Sequence, residues 1–252
     1  MKKSVKILAI GNSFSDDCME YVYPVLKSLG VEEIRLGNLY IGGCPLSRHC
    51  QNAREDAPVY EYRTNNDGRW TTAFGHTLRE AIVSEEWDFI FTQQFSGESG
   101  LAETYDTLDE LLTYVKGLAK GAPKFAWQMT WAYPKGSPHE WFKKYGNDQR
   151  TMYESIVGAV KAKIFPRKDI FAVIPTGTAI QNARKVLGDV LNRDDCHLSF
   201  GLGRYIAGLC VAESLTGLSV EEIAYAPDGV DEEMKRVAIA AVKAAVREPF
   251  ND

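Results

Sequence analysis

The chain of 252 residues lacks the features that mark several specialised classes of protein. It has no apolar run close to the roughly 20 residues that a membrane-spanning helix needs, so we expect no membrane partner. Its 29 lysines and arginines are outnumbered by 34 aspartates and glutamates, which gives a formal net charge of −5. Because nucleic-acid binding depends on clustered basic side chains, we expect no nucleic-acid partner.

Cysteine and histidine are also scarce. The five cysteines form no C-x-x-C pair, which argues against a disulfide framework and makes a cytoplasmic location the default expectation. A chain from which an export signal had been removed would have the same composition. Cys44, His49 and Cys50 are too loosely spaced for a zinc site, and the other histidines show no ligand spacing. We therefore predict no metal and no other cofactor.

What is present is the composition of an ordinary globular protein, 45% hydrophobic and 25% charged. Short β-rich apolar runs alternate with helical patterns, which is typical of a parallel sheet covered by helices on both faces. No repeat or long linker interrupts them, so we predict one α/β domain over residues 1–252. Strands are predicted at 5–10, 34–41, 89–92, 124–129 and 170–174, and helices at 24–29, 76–84, 103–119, 147–163, 176–187, 200–215 and 231–246.

Two segments fall outside this alternation. Residues 58–74 carry Val-Tyr-Glu-Tyr-Arg and Arg-Trp-Thr-Thr-Ala on either side of Asn66-Asp67-Gly68, which suits a tight turn, so an inserted β-hairpin is predicted. Residues 131–145 follow the fourth predicted strand and are rich in proline, glycine and aromatic residues. Since ligands of open α/β sheets bind beyond the carboxyl ends of the strands, this segment is expected to line a site.

The first predicted strand ends in Gly11-Asn12-Ser13. Glycine allows a sharp turn there, and the serine is then presented at the carboxyl edge of the strand. Pro24 suits the first turn of a helix, so the first full helix is expected to begin at that residue. The alternative is that the serines and aspartates of this segment only cap a helix.

An aspartate and a histidine lie together after all the predicted strands. Asp194 precedes His197 by three residues, which places both side chains on one side of a turn. The carboxylate can then hold the Nδ1–H of the imidazole and leave Nε2 free as a base. Asp195 is the rival acid, but adjacent side chains in such a turn diverge, so we favour Asp194. A solvated acidic loop with a surface histidine would show the same pattern.

Polar groups also follow the second and third predicted strands. Gly43 ends the second, where its backbone N–H can donate to an oxyanion, although a plain turn would use the same residue. Gln93 and Gln94 leave the third, where buried polar groups are costly unless they are paired. A hydrogen bond to a loop would also satisfy these amides.

These blocks together resemble the SGNH hydrolases, the GDSL-like esterase and lipase superfamily, across most of the chain. The Gly-Asn-Ser segment is similar to the family's Gly-Asp-Ser block, and the Asp-x-x-His segment is similar to its final block. The resemblance implies a flavodoxin-like three-layer α/β/α sandwich of about five parallel strands. The residues that carry it are Gly11, Asn12, Ser13, Asn38, Gly43, Asp194 and His197.

The resemblance implies acyl transfer by a Ser-His-Asp triad. Ser13 would attack an ester carbonyl while His197 takes its proton and Asp194 orients the imidazole. The backbone N–H groups of Ser13 and Gly43 would stabilise the oxyanion. The family's third block, Gly-x-Asn, is replaced here, and its donor would be supplied by Gln94 or, as the alternative, Ser96.

The substrate implied is a small acyl ester, above all an acetyl ester, and a carbohydrate ester if aromatic rings stack on sugar. Trp131 and Tyr133 are the candidates for stacking, although both rings would equally suit packing of the loop. Three alternatives remain: a non-catalytic ligand-binding member of the fold, a thioesterase or lysophospholipase-type acyl hydrolase, and a phosphate or nucleotide binder. Asp16 and Asp17 count against the last, because they would repel an anion. The sequence leaves the oligomeric state open.

Overall fold

The computed structural model describes residues 3–252. Its strands are β1 (Ser4–Gly11), β2 (Glu33–Tyr40), β3 (Tyr60–Asn65), β4 (Trp70–His76), β5 (Phe89–Thr92), β6 (Lys124–Gln128) and β7 (Ala172–Ile174). Its α-helices are α1 (Ser13–Met19), α2 (Val22–Ser28), α3 (Leu46–Glu55), α4 (Leu78–Val83), α5 (Leu108–Leu118), α6 (Gln149–Lys163), α7 (Thr176–Leu187), α8 (Leu202–Thr216) and α9 (Glu232–Arg247). Short 3₁₀ helices cover Ala102–Tyr105 and Glu140–Tyr145.

The seven strands form one sheet in the order β4-β3-β2-β1-β5-β6-β7. The five strands from β2 to β7 in that order run parallel, with helices on both faces of the sheet. Counted along the chain, these five have the flavodoxin-like order 2-1-3-4-5. The predicted α/β fold with about five parallel strands is therefore confirmed.

The central strands are hydrophobic along most of their length because both of their faces are covered. Every residue of β5 is buried, and in β1 only Ser4 and Lys6, near the amino end, are partly exposed. A strand with one solvated face would instead alternate between apolar and polar residues. This burial is the reason that β1 and β5 could be recognised from the sequence, whereas β2 is continuously buried only from Leu36 to Leu39.

The predicted hairpin over residues 58–74 is confirmed as the antiparallel pair β3 and β4. It does not stand apart from the sheet, because β3 also pairs with β2, from Leu36 opposite Asn65 to Tyr40 opposite Glu61. The hairpin therefore extends the parallel sheet at one edge. The interior residues of β4 are exposed, as suits an edge strand rich in threonine.

Two helices were not predicted, and the expectation that the first full helix begins at Pro24 is wrong. The first helix, α1, begins at Ser13, and Pro24 lies in the first turn of α2. Helix α1 has only seven residues, too few to show a helical period. Helix α3 has a polar sequence that lowers its apolar signal, although it buries Leu46, Cys50 and Ala53.

Helix α8 buries 12 of its 15 residues, most of them apolar, and it lies against α1, α2, α7, α9 and β7. Burial on all sides explains its sequence, since a helix with one solvated face would carry a polar stripe. Within residues 3–252, no helix combines the length and the hydropathy needed to cross a bilayer.

Helix α3 also carries a fully buried histidine. The Nδ1 atom of His49 lies 2.8 Å from the hydroxyl of Tyr60, which in turn accepts a hydrogen bond from Asn52 at 3.3 Å. Burial, aided by the charge of Arg48, lowers the pKa of His49 to about 3. The imidazole is therefore neutral in the folded protein throughout the physiological range.

This histidine predicts a pH dependence of stability. An unfolded histidine titrates near pH 6.5, so as the pH falls from about 6.5 towards 4 the unfolded state gains a proton that the folded state does not. The free energy of unfolding should then fall with a slope of up to about 1.4 kcal/mol per pH unit from this group. His49→Gln keeps an acceptor for Tyr60 and removes the titration. Urea unfolding at several pH values should give a shallower dependence of the free energy of unfolding on pH for His49→Gln than for the wild type. An unchanged dependence would contradict a neutral, buried His49.

Candidate functional site

The predicted site residues lie where the strand order of the sheet reverses. β1 lies between β2 and β5 in the sheet. The chain that leaves β1 crosses to β2, whereas the chain that leaves β5 crosses in the opposite direction to β6. Ser13 follows β1, the turn of Gly43 follows β2, and Gln93 follows β5. A crevice opens at such a point in doubly wound sheets, and it is where their ligands bind.

Ser13 is the first residue of α1 and is partly exposed. Asn12 caps this helix, with its Oδ1 atom accepting a hydrogen bond from the backbone N–H of Phe14 at 3.0 Å. Within residues 3–252, neither the hydroxyl nor the backbone N–H of Ser13 has a hydrogen-bonding partner. Both groups are therefore available to a substrate.

Asp194 and His197 form a closely held pair. The Oδ2 atom of Asp194 lies 2.9 Å from Nδ1 of His197, while Oδ1 accepts from the backbone N–H groups of Cys196 at 3.0 Å and His197 at 2.7 Å. The carboxylate therefore fixes both the turn and the ring. With Nδ1–H directed at the carboxylate, Nε2 is the unprotonated nitrogen of the neutral ring. The described residues show no hydrogen bond between the Asp195 carboxylate and this ring.

The charge of the Asp194 carboxylate follows from the same contacts. Burial by itself would raise the pKa of Asp194, but the two backbone N–H groups and the His197 ring outweigh burial and lower it. The carboxylate is therefore ionised at neutral pH. An ionised partner on Nδ1 stabilises the imidazolium that forms when Nε2 takes a proton.

Aromatic packing brings the histidine turn against the start of α1. The ring of Phe14, the residue after Ser13, stacks on Trp131 at 4.0 Å and meets the His197 ring edge-on at 5.9 Å. The indole Nε1–H of Trp131 donates to the carbonyl of Cys196 at 2.8 Å. No hydrogen bond joins Ser13 to His197 among the described residues. In ligand-free sites such bonds are often long and tighten when substrate binds.

A buried carboxylate provides the second link between these segments. Asp17 is fully buried in α1, and its oxygens accept from the backbone N–H of Leu198, from Arg193 and from Arg204, each at 2.8 Å. The residue after His197 is thus bonded to the helix that Ser13 begins. The sequence interpretation treated Asp17 only as a helix-starting or anion-repelling residue. The available signal was its position four residues after Ser13, next to the apolar Cys18.

Gly43 lies in a turn that is tied to the same helix cap. Its φ is +60°, in the left-handed region that glycine adopts without strain. The Nδ2 atom of Asn12 donates to the carbonyl of Cys44 at 3.0 Å, which holds the turn beside the start of α1. Within residues 3–252 the backbone N–H of Gly43 has no partner. Two free N–H groups, those of Ser13 and Gly43, therefore belong to segments joined by Asn12.

The geometry does not support the predicted third oxyanion donor. The Nε2 atom of Gln94 donates to the carbonyl and the hydroxyl of Thr104 at 3.0 and 2.9 Å, so both of its hydrogens are used. Its Oε1 accepts from the backbone N–H of Leu46 at 3.0 Å, which joins the end of β5 to the start of α3. The hydroxyl of Ser96, the alternative, pairs with that of Tyr133 at 2.9 Å.

The expected stacking of Trp131 and Tyr133 on a sugar is also not supported, because both side chains are fully buried. They pack the segment after β6 and brace the histidine turn. Phe95 and Trp141 remain partly exposed nearby, and their rings meet edge to face at 5.5 Å. A Cβ atom on Gly43 would lie 3.9 Å from the Phe95 ring, which places this pair beside the turn.

The histidine turn holds the grouping of metal-ligand types found among the described residues. Asp194, Asp195, Cys196 and His197 place four potential ligand atoms within 4.8 Å of one another. However, Asp194 and Nδ1 of His197 already bond to each other. Burial raises the pKa of the Cys196 thiol well above its ordinary value, which disfavours the thiolate that metals bind. The turn is therefore better described as an acid–histidine pair.

Comparison with solved structures identifies the type of fold. A candidate SGNH hydrolase from Slackia heliotrinireducens superposes with a TM-score of 0.52 over 84% of this chain and 99% of its own, at 19% identity. A catalytic mutant of an acetylxylan esterase from Geobacillus stearothermophilus gives 0.53 over 89% and 96%, at 15% identity. At these identities the likeness establishes an SGNH-hydrolase-like fold.

The chain belongs to the DUF4886 family, a domain of unknown function, whose profile matches residues 6–245. The crystal structure of a DUF4886 family protein from Bacteroides uniformis ATCC 8492, at 1.50 Å resolution, is 40% identical and has a TM-score of 0.94. The match covers 98% of this chain and 96% of that one. A search of curated protein sequences finds no match.

Proposed function

We propose that this protein is a serine esterase that hydrolyses small acyl esters, with Ser13 as nucleophile, His197 as base and Asp194 as the orienting acid. The observation that carries the proposal is the imidazole of His197, held by Asp194 at 2.9 Å and packed edge-on against Phe14, the neighbour of Ser13. The shared fold with SGNH hydrolases supports a hydrolytic function.

The proposed mechanism uses these groups in sequence. His197 takes the proton of Ser13 at Nε2 as the serine oxygen attacks the ester carbonyl, and then passes it to the leaving alcohol. Water, activated by the same nitrogen, releases the acid from the acyl-serine. The free N–H groups of Ser13 and Gly43 would bind the oxyanion, and one such donor is typically worth about 3–4 kcal/mol of barrier.

The direct test is covalent labelling combined with turnover. The purified protein should react with a fluorophosphonate probe and release acetate from 4-nitrophenyl acetate without added metal. A ligand-binding protein that has lost catalysis would do neither. Absence of both reactions in the folded protein would therefore contradict the proposal.

We further propose an acetylated carbohydrate as substrate, because partly exposed aromatic rings lie beside the proposed oxyanion turn. Phe95 and Trp141 present ring area of the kind that stacks on sugar faces, and Phe95 approaches Gly43. One fold neighbour is an acetylxylan esterase, which is consistent with this substrate class. The rings of Phe95 and Trp141 would take the role first expected of Trp131 and Tyr133.

This substrate predicts a selective effect of Trp141→Ala. The KM for an acetylated oligosaccharide should rise about 5- to 10-fold, the equivalent of roughly 1–1.4 kcal/mol of lost contact, with little change in kcat. The KM for 4-nitrophenyl acetate should stay within twofold. Phe74→Ala is the matched control, since Phe74 is an exposed aromatic residue on β4. Equal effects of Trp141→Ala on the two substrates would exclude a sugar-stacking role.

A further inference from the structure

One buried side chain joins three separate parts of the proposed site. Asn12 is 1% exposed, and its Oδ1 atom accepts from the backbone N–H of Phe14 at 3.0 Å and from Nε2 of Gln93 at 2.7 Å. Its Nδ2 atom donates to the carbonyl of Cys44 at 3.0 Å. The start of α1, the end of β5 and the turn of Gly43 therefore meet at a single amide.

Gln93 is the part of this arrangement that neither the sequence resemblance nor the triad uses. Its side chain is completely buried, and its Oε1 atom has no hydrogen-bonding partner among the described residues. The bond from its Nε2 to Asn12 is therefore the polar contact that the side chain makes. Burying an amide with one atom unpaired costs free energy of folding. A role for the single short bond to Asn12 would explain why the side chain is buried there.

We propose that Gln93 is a positioning residue for the nucleophile and the oxyanion turn, acting through Asn12. This proposal rests on the esterase function proposed above. The donor from Gln93 holds Oδ1 of Asn12 towards the helix cap, and the same amide then directs Nδ2 at Cys44. The N–H groups of Ser13 and Gly43 keep their relative positions because both segments are bonded to this one side chain.

The arrangement also accounts for asparagine where the SGNH block has aspartate. An aspartate at position 12 would accept from Phe14 and Gln93, but it would have no hydrogen to donate to the carbonyl of Cys44. Its second oxygen would instead face that carbonyl, and two acceptors repel each other. Gln93 donates to Asn12, and Asn12 donates to the carbonyl of Cys44. The two amides therefore form one chain of hydrogen bonds from β5 to the turn.

Replacing the Gln93 amide by a carboxyl group tests this chain of hydrogen bonds through the pH dependence of kcat. In Gln93→Glu the ionised form faces Oδ1 of Asn12 with no donor, whereas the protonated form donates an O–H. We expect kcat about 100-fold below that of the wild type at pH 8, with KM within about twofold, since small displacements of catalytic groups cost this much. As the pH falls towards 5.5, the ratio of variant to wild-type kcat should rise, because a buried carboxyl beside an acceptor has a raised pKa.

Two further variants separate positioning from stability. Gln93→Met has nearly the same size but no donor, so its kcat should be low and its ratio to the wild type should not depend on pH. Gln128→Glu buries a carboxyl at the end of the neighbouring strand β6, where the wild-type side chain is fully buried and makes no hydrogen bond among the described residues. Its melting temperature should depend on pH, but its kcat ratio should not. Melting temperatures are measured for every variant at each pH.

The outcomes distinguish the two proposals. If the wild type turns over substrate and Gln93→Met keeps the wild-type kcat, the positioning role is overturned and the esterase proposal stands. The same conclusion follows if the kcat ratios of Gln93→Glu and Gln128→Glu respond alike to pH. A wild-type protein without turnover or fluorophosphonate labelling would overturn both. Recovery of kcat at low pH in Gln93→Glu alone would establish the role.

Discussion

Ser13→Ala is expected to abolish fluorophosphonate labelling and to lower kcat for 4-nitrophenyl acetate by roughly four to six orders of magnitude. Loss of the nucleophile in a serine hydrolase costs this much, and the residual rate comes from binding and the oxyanion donors. The substitution should leave the fold unchanged, because the Ser13 hydroxyl makes no hydrogen bond among residues 3–252. Intact-mass spectrometry after labelling, together with steady-state kinetics, provides the measurement.

Ser15 supplies the matched control for this experiment. It lies two residues further along α1 and is fully buried, and its single hydroxyl hydrogen is shared between two acceptors, the carbonyl of Asn12 at 2.7 Å and Oδ1 of Asn38 at 2.8 Å. Ser15→Ala should lose roughly 1 kcal/mol of stability and keep the labelling. Labelling that survives in Ser13→Ala and disappears in Ser15→Ala would move the nucleophile to the second serine.

The second large effect is expected from Asp194→Asn, which should lower kcat by about 10³- to 10⁴-fold with a small change in KM. An amide can present its NH₂ group to Nδ1 and so stabilise the ring tautomer that carries hydrogen on Nε2, which cannot act as a base. The acceptor for the N–H groups of Cys196 and His197 is kept, because the amide oxygen can occupy the place of Oδ1. Kinetics near neutral pH check the result.

Asp195→Asn is the control for the acid. Asp195 is the adjacent carboxylate in the same turn, and its side chain makes no hydrogen bond to His197 among the described residues. Its substitution should change kcat by less than about tenfold, which covers the loss of one nearby charge. If Asp195→Asn reduced kcat more than Asp194→Asn, the orienting acid would have to be reassigned.

Elements with strong and continuous patterns could be predicted closely. The bounds predicted for β5 and α7 are those observed, Phe89–Thr92 and Thr176–Leu187. The first is a short apolar run, and the second is a long helix with Pro175 before it and Gly188 after it. Helix α1 escaped prediction because its seven residues are stabilised by contacts with β1, β2 and α8 rather than by local propensity.

The candidate site was only partly predictable for a related physical reason. Ser13, Gly43, Asp194 and His197 could be proposed because each belongs to a short motif at the end of a strand or in a loop between helices. Whether an amide such as Gln94 is free to bind an oxyanion depends on Thr104 and on the start of α3. Those partners cannot be read from the motif itself.

The sequence by itself determined the alternation of strands and helices, and with it the parallel sheet and the edge at which polar residues would gather. It also determined the spacing that puts Asp194 and His197 in one turn. The alternation of elements and this spacing both depend on residues that are close together in the chain. Only the tertiary structure decided that Trp131 is buried, that Asp17 bonds to Leu198, and that Asn12 joins Gln93 to the turn of Gly43. Burial and long-range hydrogen bonds depend on how distant segments pack, and local sequence patterns carry no record of those partners.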